Sequence, residues 1–466
     1  MVRTSLVFRF AMLALAFAEL SIFAHAQLFT DLYNFGTLSN DPAVTGYPGI
    51  IAQGRDGNLY STSSSGGANN LGSVFQVTPA GTLSVIYSFA GADGSTPQSG
   101  LTLGTDGDFY GTTFAGGASG NGVIFKITPG GTLTVLYQFS GAAPDGRGPY
   151  AAPIQGTDGN LYGTAFYGGT KGVGSVYKLT PTGVFTTLHY FRSTDGENPT
   201  SPLVQGSDGK LYGTTQSGGK YKSGTVFRVT TAGGFKVLRN FATTDGQLVI
   251  APLIQASDGN LYGTAEGGGT VTDGTVFKIT TAGVFSVLHD FVGSDGYSPT
   301  GGLVQASDGN FYGVTSGFGI SGYGGAFSIT PTGTFTVLTS AFGPTTGEEP
   351  EVTLVQHTNG ILYGDTFTGG TGGTCRCGTF YSLNSQLPPY AALVPNSGKV
   401  GNTIGILGQG LTGTTAVSFH GTTAAYQVVS DTYLTATVPK GATTGPITVT
   451  TPAGPLVSQS FLVRLH

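Results

Sequence analysis

The sequence predicts an all-β fold, a seven-bladed β-propeller that is closed by its own N-terminal strand. The first observation is a motif of the form "DGNLYG" that occurs seven times at a spacing of 50 to 52 residues. Four short strands per repeat without helical periodicity are typical of a propeller blade, whereas the coils of a β-helix repeat at a much shorter period. The motif begins at Asp56, Asp106, Asp158, Asp208, Asp258, Asp308 and Asn359.

Within each repeat, runs of β-branched and aromatic residues alternate with turn signals. The copy that starts at Ala251 reads "APLIQASDGN", "LYGTAEGGGTVTD", "GTVFKITTAG" and "VFSVLHDFVGSDGYSP", and each piece predicts one strand with its turn. A single sheet of this size cannot bury both of its faces, whereas blades around a common axis cover each other. The repeats therefore favour one propeller over several separate sandwiches.

The two ends of the repeat array predict how the ring closes. The seventh repeat stops after its third strand, "GTFYSLN", and no fourth strand follows Asn384. The segment from Leu28 to Phe35, "LFTDLYNF", matches the fourth-strand pattern from Val284 to Phe291, "VFSVLHDF". We therefore expect the N-terminal strand to complete the last blade and to remove two exposed sheet edges.

Residues 1–26 have the pattern of a secretory signal peptide, which predicts a secreted or cell-surface protein. Arg3 and Arg9 flank the start of an apolar stretch, and Ala24, His25 and Ala26 form a small-x-small cleavage site. The alternative, an uncleaved membrane anchor, is disfavoured because no stop-transfer pattern follows, and no later segment is apolar enough to cross a bilayer. The net charge of −5 argues against nucleic acid as a partner.

The repeat run "LYGT…GG…GTVFK" resembles the GloVer tandem-repeat family of secreted bacterial proteins over nearly all of residues 27–384. This resemblance implies export and a repeat architecture, but it implies no activity. The repeats are less similar to the "DGNLW" repeats of sensor-kinase input propellers and of the streptogramin-lyase group. Those repeats carry Trp where this chain has Tyr, and the chain contains no Trp.

Residues 390–466 resemble an IPT/TIG domain, and the resemblance implies a small immunoglobulin-like β-sandwich with a binding or spacing role. The matching segments include "ILGQGL", "ATVP" and "TTGPITV". Residues 385–389 are predicted to be a short, stiff linker because Pro388 and Pro389 favour extended chain.

The histidines predict no active site and no cofactor. His189 and His289 occupy fourth strands two blades apart, His357 lies beside a turn, and His420 lies in the C-terminal domain. None of them has metal-ligand spacing to another. The repeated Asp of the "DGN" turns could bind calcium, but an Asp-Gly hairpin explains it better.

Cys375 and Cys377 are the two cysteines of the chain and lie in a Gly-rich loop. A disulfide is possible in an oxidising compartment, although it would close a small ring. The alternative, a two-thiol metal site, lacks further ligands nearby. We favour the disulfide.

The long loops predict a ligand-binding face. They share one face of a propeller, whereas the tight turns share the other, and variable loops on a constant scaffold are where recognition usually occurs. The position after "YGT" also varies between repeats, and aromatic and polar residues near it would suit a glycan or an extended peptide. Packing of these rings against neighbouring blades is the alternative. The candidates are Phe114, Phe166, Tyr167, Gln216, Tyr221, Glu266 and Phe367, with Lys220 or Lys222.

These observations predict a secreted, non-catalytic and monomeric binding or scaffold protein whose ligand is an extracellular glycan or protein. Two alternatives remain. The first is a propeller-type polysaccharide lyase or hydrolase, and the second is a structural protein of the cell envelope.

Overall fold

The computed structural model describes residues 28–45, 49–142, 145–318, 322–372 and 375–464. The predicted signal peptide, residues 1–26, lies outside these residues. The described part of the chain forms strands, turns and bends and contains no helix, which confirms the all-β prediction. It accordingly contains no helix that is long and apolar enough to cross a membrane.

The repeats form short strands whose sequence pattern sets their length. The strands of the first three repeats and of the segment before them are β1 (Phe29–Asn34), β2 (Pro42–Thr45), β3 (Ala52–Gln53), β4 (Leu59–Gly66), β5 (Ser73–Val77), β6 (Leu83–Ser88), β7 (Thr102–Leu103), β8 (Phe109–Thr113), β9 (Val123–Ile127), β10 (Leu133–Gln138), β11 (Ile154–Gln155), β12 (Leu161–Ala165), β13 (Ser175–Leu179) and β14 (Phe185–Tyr190). The later repeats contain β15 (Val204–Gln205), β16 (Leu211–Thr215), β17 (Thr225–Val229), β18 (Phe235–Asn240), β19 (Ile254–Gln255), β20 (Leu261–Ala265), β21 (Thr275–Ile279), β22 (Phe285–Asp290), β23 (Val304–Gln305), β24 (Phe311–Thr315), β25 (Gly325–Ile329), β26 (Phe335–Thr339), β27 (Val355–Gln356), β28 (Leu362–Asp365) and β29 (Thr379–Leu383).

These strands form seven antiparallel sheets, which we number by repeat. Sheets 2 to 6 each contain four consecutive strands, β7 to β10, β11 to β14, β15 to β18, β19 to β22 and β23 to β26. Sheet 1 contains β3 to β6, and β2 adds a fifth strand by pairing with the end of β4. This extra strand was not predicted from the sequence.

Sheet 7 contains β27, β28, β29 and the N-terminal strand β1. Phe29 lies opposite Leu383, and Asn34 lies opposite Thr379 in an antiparallel register. The predicted pairing of the N-terminal strand with the last repeat is therefore confirmed.

The sheets follow one another in a closed, propeller-like ring that glutamine side chains link. In sheets 3 to 7, the Gln that ends the first strand accepts a hydrogen bond from a backbone N–H in the first turn of the preceding sheet. The donor–acceptor pairs are Thr105 to Gln155, Thr157 to Gln205, Ser207 to Gln255, Ser257 to Gln305 and Ser307 to Gln356. Thr358 of sheet 7 donates in the same way to Gln53 of sheet 1, and Arg55 of sheet 1 donates to the Thr105 carbonyl of sheet 2. The first strands, which contact each other at β3 and β7, therefore lie on the inside of the ring.

The repeated motif is explained by one hydrogen-bond pattern. Asp258 accepts from the Asn260 N–H at 3.0 Å, from the Asn260 side chain at 2.8 Å and from the Tyr262 hydroxyl at 2.8 Å. Gly259 takes a φ of +79°, which the tight turn requires. Burial raises the pKa of Asp258, but the hydrogen bonds from Asn260, Lys278 and Tyr262 outweigh it and lower the pKa to about 2. The motif Asp therefore serves the turn, as the hairpin interpretation predicts.

Residues 390–464 form two sheets around one hydrophobic core. The first sheet contains β30 (Ala392–Val394), β32 (Thr403–Leu407), β35 (Tyr426–Ser430) and β36 (Tyr433–Thr437). The second contains β31 (Ser397–Gly398), β33 (Ala416–Phe419), β34 (Thr422–Thr423), β37 (Gly445–Thr451) and β38 (Gly454–Val463). Side chains of both sheets, such as Ile406 and Phe461, are buried in this shared core.

Candidate functional site

The long loops of each repeat gather on one face of the ring. We call this the long-loop face; it is formed by the connections between second and third strands and by the connections between sheets. Backbone bridges join the two kinds of loop, for example between Arg147 and Tyr167 and between Gln247 and Gly267. The two loop classes that the sequence placed on one face are therefore in contact.

The C-terminal domain contacts the opposite face, which carries the tight turns. The Thr432 hydroxyl donates to the Arg55 carbonyl at 2.7 Å, and the Arg55 guanidinium lies 4.5 Å from the centre of the Tyr433 ring. On the other side of the contact, the Gln459 side chain donates to the Gln305 carbonyl at 2.7 Å. Because the C-terminal domain occupies part of this face, the long-loop face is the more open of the two.

Four aromatic rings meet on the long-loop face between sheets 2 and 3. Phe114 lies 5.6 Å from Tyr150 and 6.4 Å from Tyr167, measured between ring centroids. Phe166 lies 5.5 Å from Tyr150 and 4.5 Å from Tyr167. All four residues are partly exposed, Tyr167 the most at 37%. The sequence predicted Phe114, Phe166 and Tyr167, and it missed Tyr150, which joins them.

The variable position after "YGT" forms a ring of its own, which we call the rim. It is occupied by Ser64, Phe114, Phe166, Gln216, Glu266, Ser316 and Phe367, and each of these residues is partly exposed. In sheets 2 to 7, the backbone N–H of this residue donates to a carbonyl in the connection from the preceding sheet, as Gln216 does to Asn198 and Glu266 to Leu248. The repeated backbone geometry thus presents a different side chain from each sheet at equivalent positions.

A second ring of residues lies in the connections that lead into the first strands, five positions before the linking Gln. It contains Gln98, Tyr150, Thr200, Ile250, Thr300 and Glu351. We call this ring together with the rim the axial mouth. Thr200, Ile250 and Thr300 are only 4%, 2% and 2% exposed, so neighbouring residues cover this part of the second ring.

One side of the axial mouth is acidic. Burial, together with the charges of Glu349, Glu266 and Asp365, raises the pKa of Glu351 to about 8. Burial also raises the pKa of Asp365 to about 7, although a hydrogen bond from Thr45 opposes this shift. Both carboxyl groups therefore titrate near neutral pH.

The acidic and aromatic sides interact across the axial mouth. Burial raises the pKa of the Tyr150 hydroxyl, and the charges of Glu351 and Tyr167 raise it further. Glu351 lies in the connection before sheet 7, whereas Tyr150 lies in the connection before sheet 3. The ring thus brings residues that are 201 positions apart in the sequence into one electrostatic environment.

Tyr221 lies elsewhere on the long-loop face, which corrects its predicted place beside the rim. Its loop turns toward the outermost strand of sheet 4, where the Lys220 N–H donates to the Asn240 side chain at 2.8 Å. Tyr221 is 52% exposed, and the Lys220 ammonium lies 4.9 Å from the centre of its ring. Lys222 belongs to the same outer loop, so neither lysine contributes to the axial mouth.

The remaining candidate groups have structural surroundings. The rings of His189 and His289 stack on Phe235 and Phe335 of the following sheets at 3.6 and 3.8 Å. His357 is buried, and its Nε2 lies 2.8 Å from the Gly57 carbonyl. Cys375 and Cys377 are joined by a disulfide. The residues that the structure describes include no group of three or more His, Cys, Asp or Glu side chains arranged to hold a metal ion.

Several solved structures share the fold at low sequence identity. Streptogramin B lyase is 18% identical over 76% of this chain and 97% of its own, with a TM-score of 0.52. Virginiamycin B lyase from Staphylococcus aureus is 15% identical over 76% of this chain and 98% of its own, with a TM-score of 0.53. A fungal alcohol oxidase in complex with copper is 16% identical over 93% of this chain and 100% of its own, with a TM-score of 0.52. These likenesses concern the fold alone.

The sequence comparison is more specific. None of the curated protein sequences compared with the chain matches it significantly. The pattern of the Gloeobacter/Verrucomicrobia repeat matches residues 46–255 and 249–429, which together span most of the chain. This protein therefore belongs to the Gloeobacter/Verrucomicrobia repeat family.

Proposed function

We propose that this protein is an exported, non-catalytic binding or scaffold protein that recognises a glycan or protein ligand with its long-loop face. The observation that carries the proposal is the partly exposed cluster of Phe114, Tyr150, Phe166 and Tyr167 at the axial mouth. Aromatic rings that offer a large apolar surface and polar hydroxyls are typical of recognition sites. The signal-peptide pattern of residues 1–26 supports export.

In this proposal, the seven linked sheets are the blades of a seven-bladed propeller, and residues 390–466 are an IPT/TIG domain of immunoglobulin-like fold. The ring of contacts between neighbouring sheets supports the blade count, since six Gln contacts and the Arg55 contact between sheets 1 and 2 together lead from sheet 1 through sheet 7 and back. Two sheets around one core support the second domain. Its contact with the tight-turn face leaves the long-loop face available to a ligand.

A second candidate is an enzyme of the lyase or hydrolase type. Glu351 and Asp365 favour it, because carboxyl groups that titrate near neutral pH suit general acid–base catalysis. A purely structural role in the cell envelope is the third candidate, and it requires neither binding of a diffusible ligand nor turnover.

The test is a binding screen of the mature protein on glycan, cell-wall and peptide panels, combined with assays for polysaccharide cleavage. We expect retention without turnover. Phe114→Ala together with Phe166→Ala should weaken retention at least about tenfold, which corresponds to about 1.4 kcal/mol, while the thermal transition stays nearly unchanged. Tyr221→Ala, on the same face but outside the axial mouth, is the matched control. Turnover would favour the enzyme, and the absence of both would favour the structural role.

A further inference from the structure

The ring has one junction at which its two ends meet. On one side of this junction lie β1 and sheet 1, and on the other side lie β27 to β29, which the C-terminal domain follows in the chain. β1 and β29 pair along the outer edge of sheet 7. On the tight-turn face, a second set of contacts crosses the same junction.

Sheets 7 and 1 are joined directly at the junction. The Thr358 N–H donates to the Gln53 side chain at 2.9 Å, and the Gln53 amide donates back to the Thr358 hydroxyl at 2.8 Å. The Nδ1 of His357 accepts from the Asn359 N–H at 3.2 Å, which leaves Nε2 to donate to the Gly57 carbonyl at 2.8 Å. The other six repeats carry Gly or Ala at the position of His357, so this bridge is a departure from the repeat.

The C-terminal domain is anchored to the sheets that precede it in the chain. The Tyr390 hydroxyl donates to the Gln356 carbonyl of sheet 7 at 2.7 Å. The Gln409 side chain donates to the Thr358 hydroxyl of the same sheet at 3.0 Å. Together with the contact that Gln459 makes to sheet 6, these bonds fix the domain on the side of the junction that contains β27 to β29.

The same domain reaches across the junction to sheet 1. The Thr432 hydroxyl donates to the Arg55 carbonyl, and the Arg55 guanidinium lies over the Tyr433 ring. The two surfaces are in close contact, because a Cβ atom at Gly57 would lie only 2.9 Å from Cγ2 of Thr432. The other six repeats carry Thr or Ser at the position of Arg55. The residue that receives the C-terminal domain is therefore a departure from the repeat, as His357 is on the other side of the junction.

We propose that the C-terminal domain is a clasp that holds the ring closed, a function separate from ligand binding by the long-loop face. If the ring opens at the junction, β1 separates from β29 and sheet 1 moves away from sheet 7. Because the domain is anchored on one side and bonded to Arg55 on the other, such an opening also breaks the contacts of Thr432 and Tyr433 with Arg55. These contacts therefore add to the pairing of β1 with β29 in stabilising the closed ring.

The experiment measures hydrogen–deuterium exchange of the full mature protein by mass spectrometry. The variant combines Arg55→Ser, which restores a residue that other repeats carry, with Thr432→Val, which keeps the side-chain shape and removes the hydroxyl donor. Amides of β1 and β29 should exchange at least about tenfold faster, because the junction opens more often. Exchange in β16 and β17 of sheet 4 should stay unchanged. The strands β36 and β37 should also keep their protection, because the variant loosens the domain from the ring without unfolding it.

The matched control is Arg192→Ser with Thr423→Val, which makes the same two changes at exposed positions away from the contact. It should leave the exchange of β1 and β29 unchanged. If the double variant at the contact fails to fold, Thr432→Val alone carries the test, and the loss of one hydrogen bond should speed exchange about two- to tenfold.

Unchanged exchange of β1 and β29 in the variants at the contact would overturn the proposal. Equal acceleration in sheet 4 or in the control would overturn it as well, because the effect would then be a general loss of stability. Opening of β36 and β37 while β1 stays protected would show that the domain does not hold the junction. None of these outcomes depends on which ligand the long-loop face binds.

Discussion

Deletion of residues 28–35 tests how the ring closes. This deletion removes β1, which pairs with β29 from Phe29 opposite Leu383 to Asn34 opposite Thr379. Without it, β29 would present unpaired backbone groups at the outer edge of sheet 7. Such an exposed edge invites pairing with other chains, so the truncated protein should aggregate or lose stability.

The size of the effect can be worked out from the side chains that β1 and its flanking residue bury. Phe35 has no exposed surface and packs against Phe75 of sheet 1 at 5.6 Å between ring centroids. Replacing such a side chain with Ala costs about 3 to 5 kcal/mol. Leu32 is partly buried in the same cluster as Phe35, whereas Phe29 is partly buried against Phe342 and Tyr381, and each would add at most about 1.5 to 3 kcal/mol. The sum approaches the total stability of an ordinary domain, which is about 5 to 15 kcal/mol.

The assay combines thermal unfolding with size-exclusion chromatography for the deletion and for Phe35→Ala. Leu38→Ala is the control, because Leu38 lies three residues further along and is 68% exposed. A synthetic peptide with the sequence of residues 28–35 should restore part of the stability of the truncated protein by occupying the edge of β29. If the truncated protein stays monomeric with an unchanged melting temperature, the closure by β1 does not stabilise the ring.

Three further predictions concern single groups. Glu351→Gln should raise the free energy of unfolding at pH 9 by up to about 5 kcal/mol and leave it unchanged at pH 4. The reason is that the folded-state pKa of Glu351 is about 8, so ionisation of this carboxyl group costs stability as pH rises. If the variant and the unchanged protein have equal urea midpoints at both pH values, this prediction is wrong. Tyr262→Phe should lower the free energy of unfolding by about 1.5 to 3 kcal/mol at pH 7, because it removes a hydrogen bond to charged Asp258. This loss should become smaller as pH falls from about 4 through about 2, where the Asp258 carboxylate is protonated. A loss that does not depend on pH would contradict the prediction. Thiol titration of the unreduced, unfolded protein should find no free thiol from Cys375 and Cys377, and reactive thiols would show that the disulfide is absent.

The repeat architecture was predictable because nearly the same pattern of residues recurs in all seven repeats. The Asp, Asn and Tyr of the motif are spaced so that one carboxylate accepts from the other two, as Asp158 does from Asn160 and Tyr162. The Gly between Asp and Asn supplies the positive φ of the turn. Ring closure was predictable for the same reason, since the N-terminal segment carries the fourth-strand pattern.

The extra strand β2 was not predictable in this way. Pro42–Thr45 does not correspond to any strand of the repeat, and it pairs with the end of β4, which residues 64–66 extend beyond the usual length of a second strand. Nothing in its composition distinguishes it from the turn residues on either side. Its end matters to the site, because the Thr45 hydroxyl donates to Asp365.

The acidic residues near the axial mouth were not predicted from the sequence, for a different reason. The variable position after "YGT" identified Glu266 as a candidate. Tyr150, Glu351 and Asp365 lie at two other positions of the repeat, so the same pattern did not identify them. Aligning the repeats by their turns reveals Asp365 as a departure, because five repeats have Thr there, and it shows that the position of Tyr150 and Glu351 varies from repeat to repeat. The alignment alone does not show that these departures converge.

Convergence follows from the closed ring and explains how a repetitive chain can carry a single specific site. Residues that recur through the repeats, such as the motif Tyr and the Asp of the first six repeats, are used locally within one turn and build the scaffold. Residues that depart from the repeat are far apart along the chain, but equivalent positions of all sheets face one axis. Side chains that differ between repeats, such as Phe166 in sheet 3 and Glu266 in sheet 5, therefore lie on the same rim. In this architecture, a charged or aromatic residue near the axis that differs between repeats indicates a functional site, because the scaffold alone does not require it.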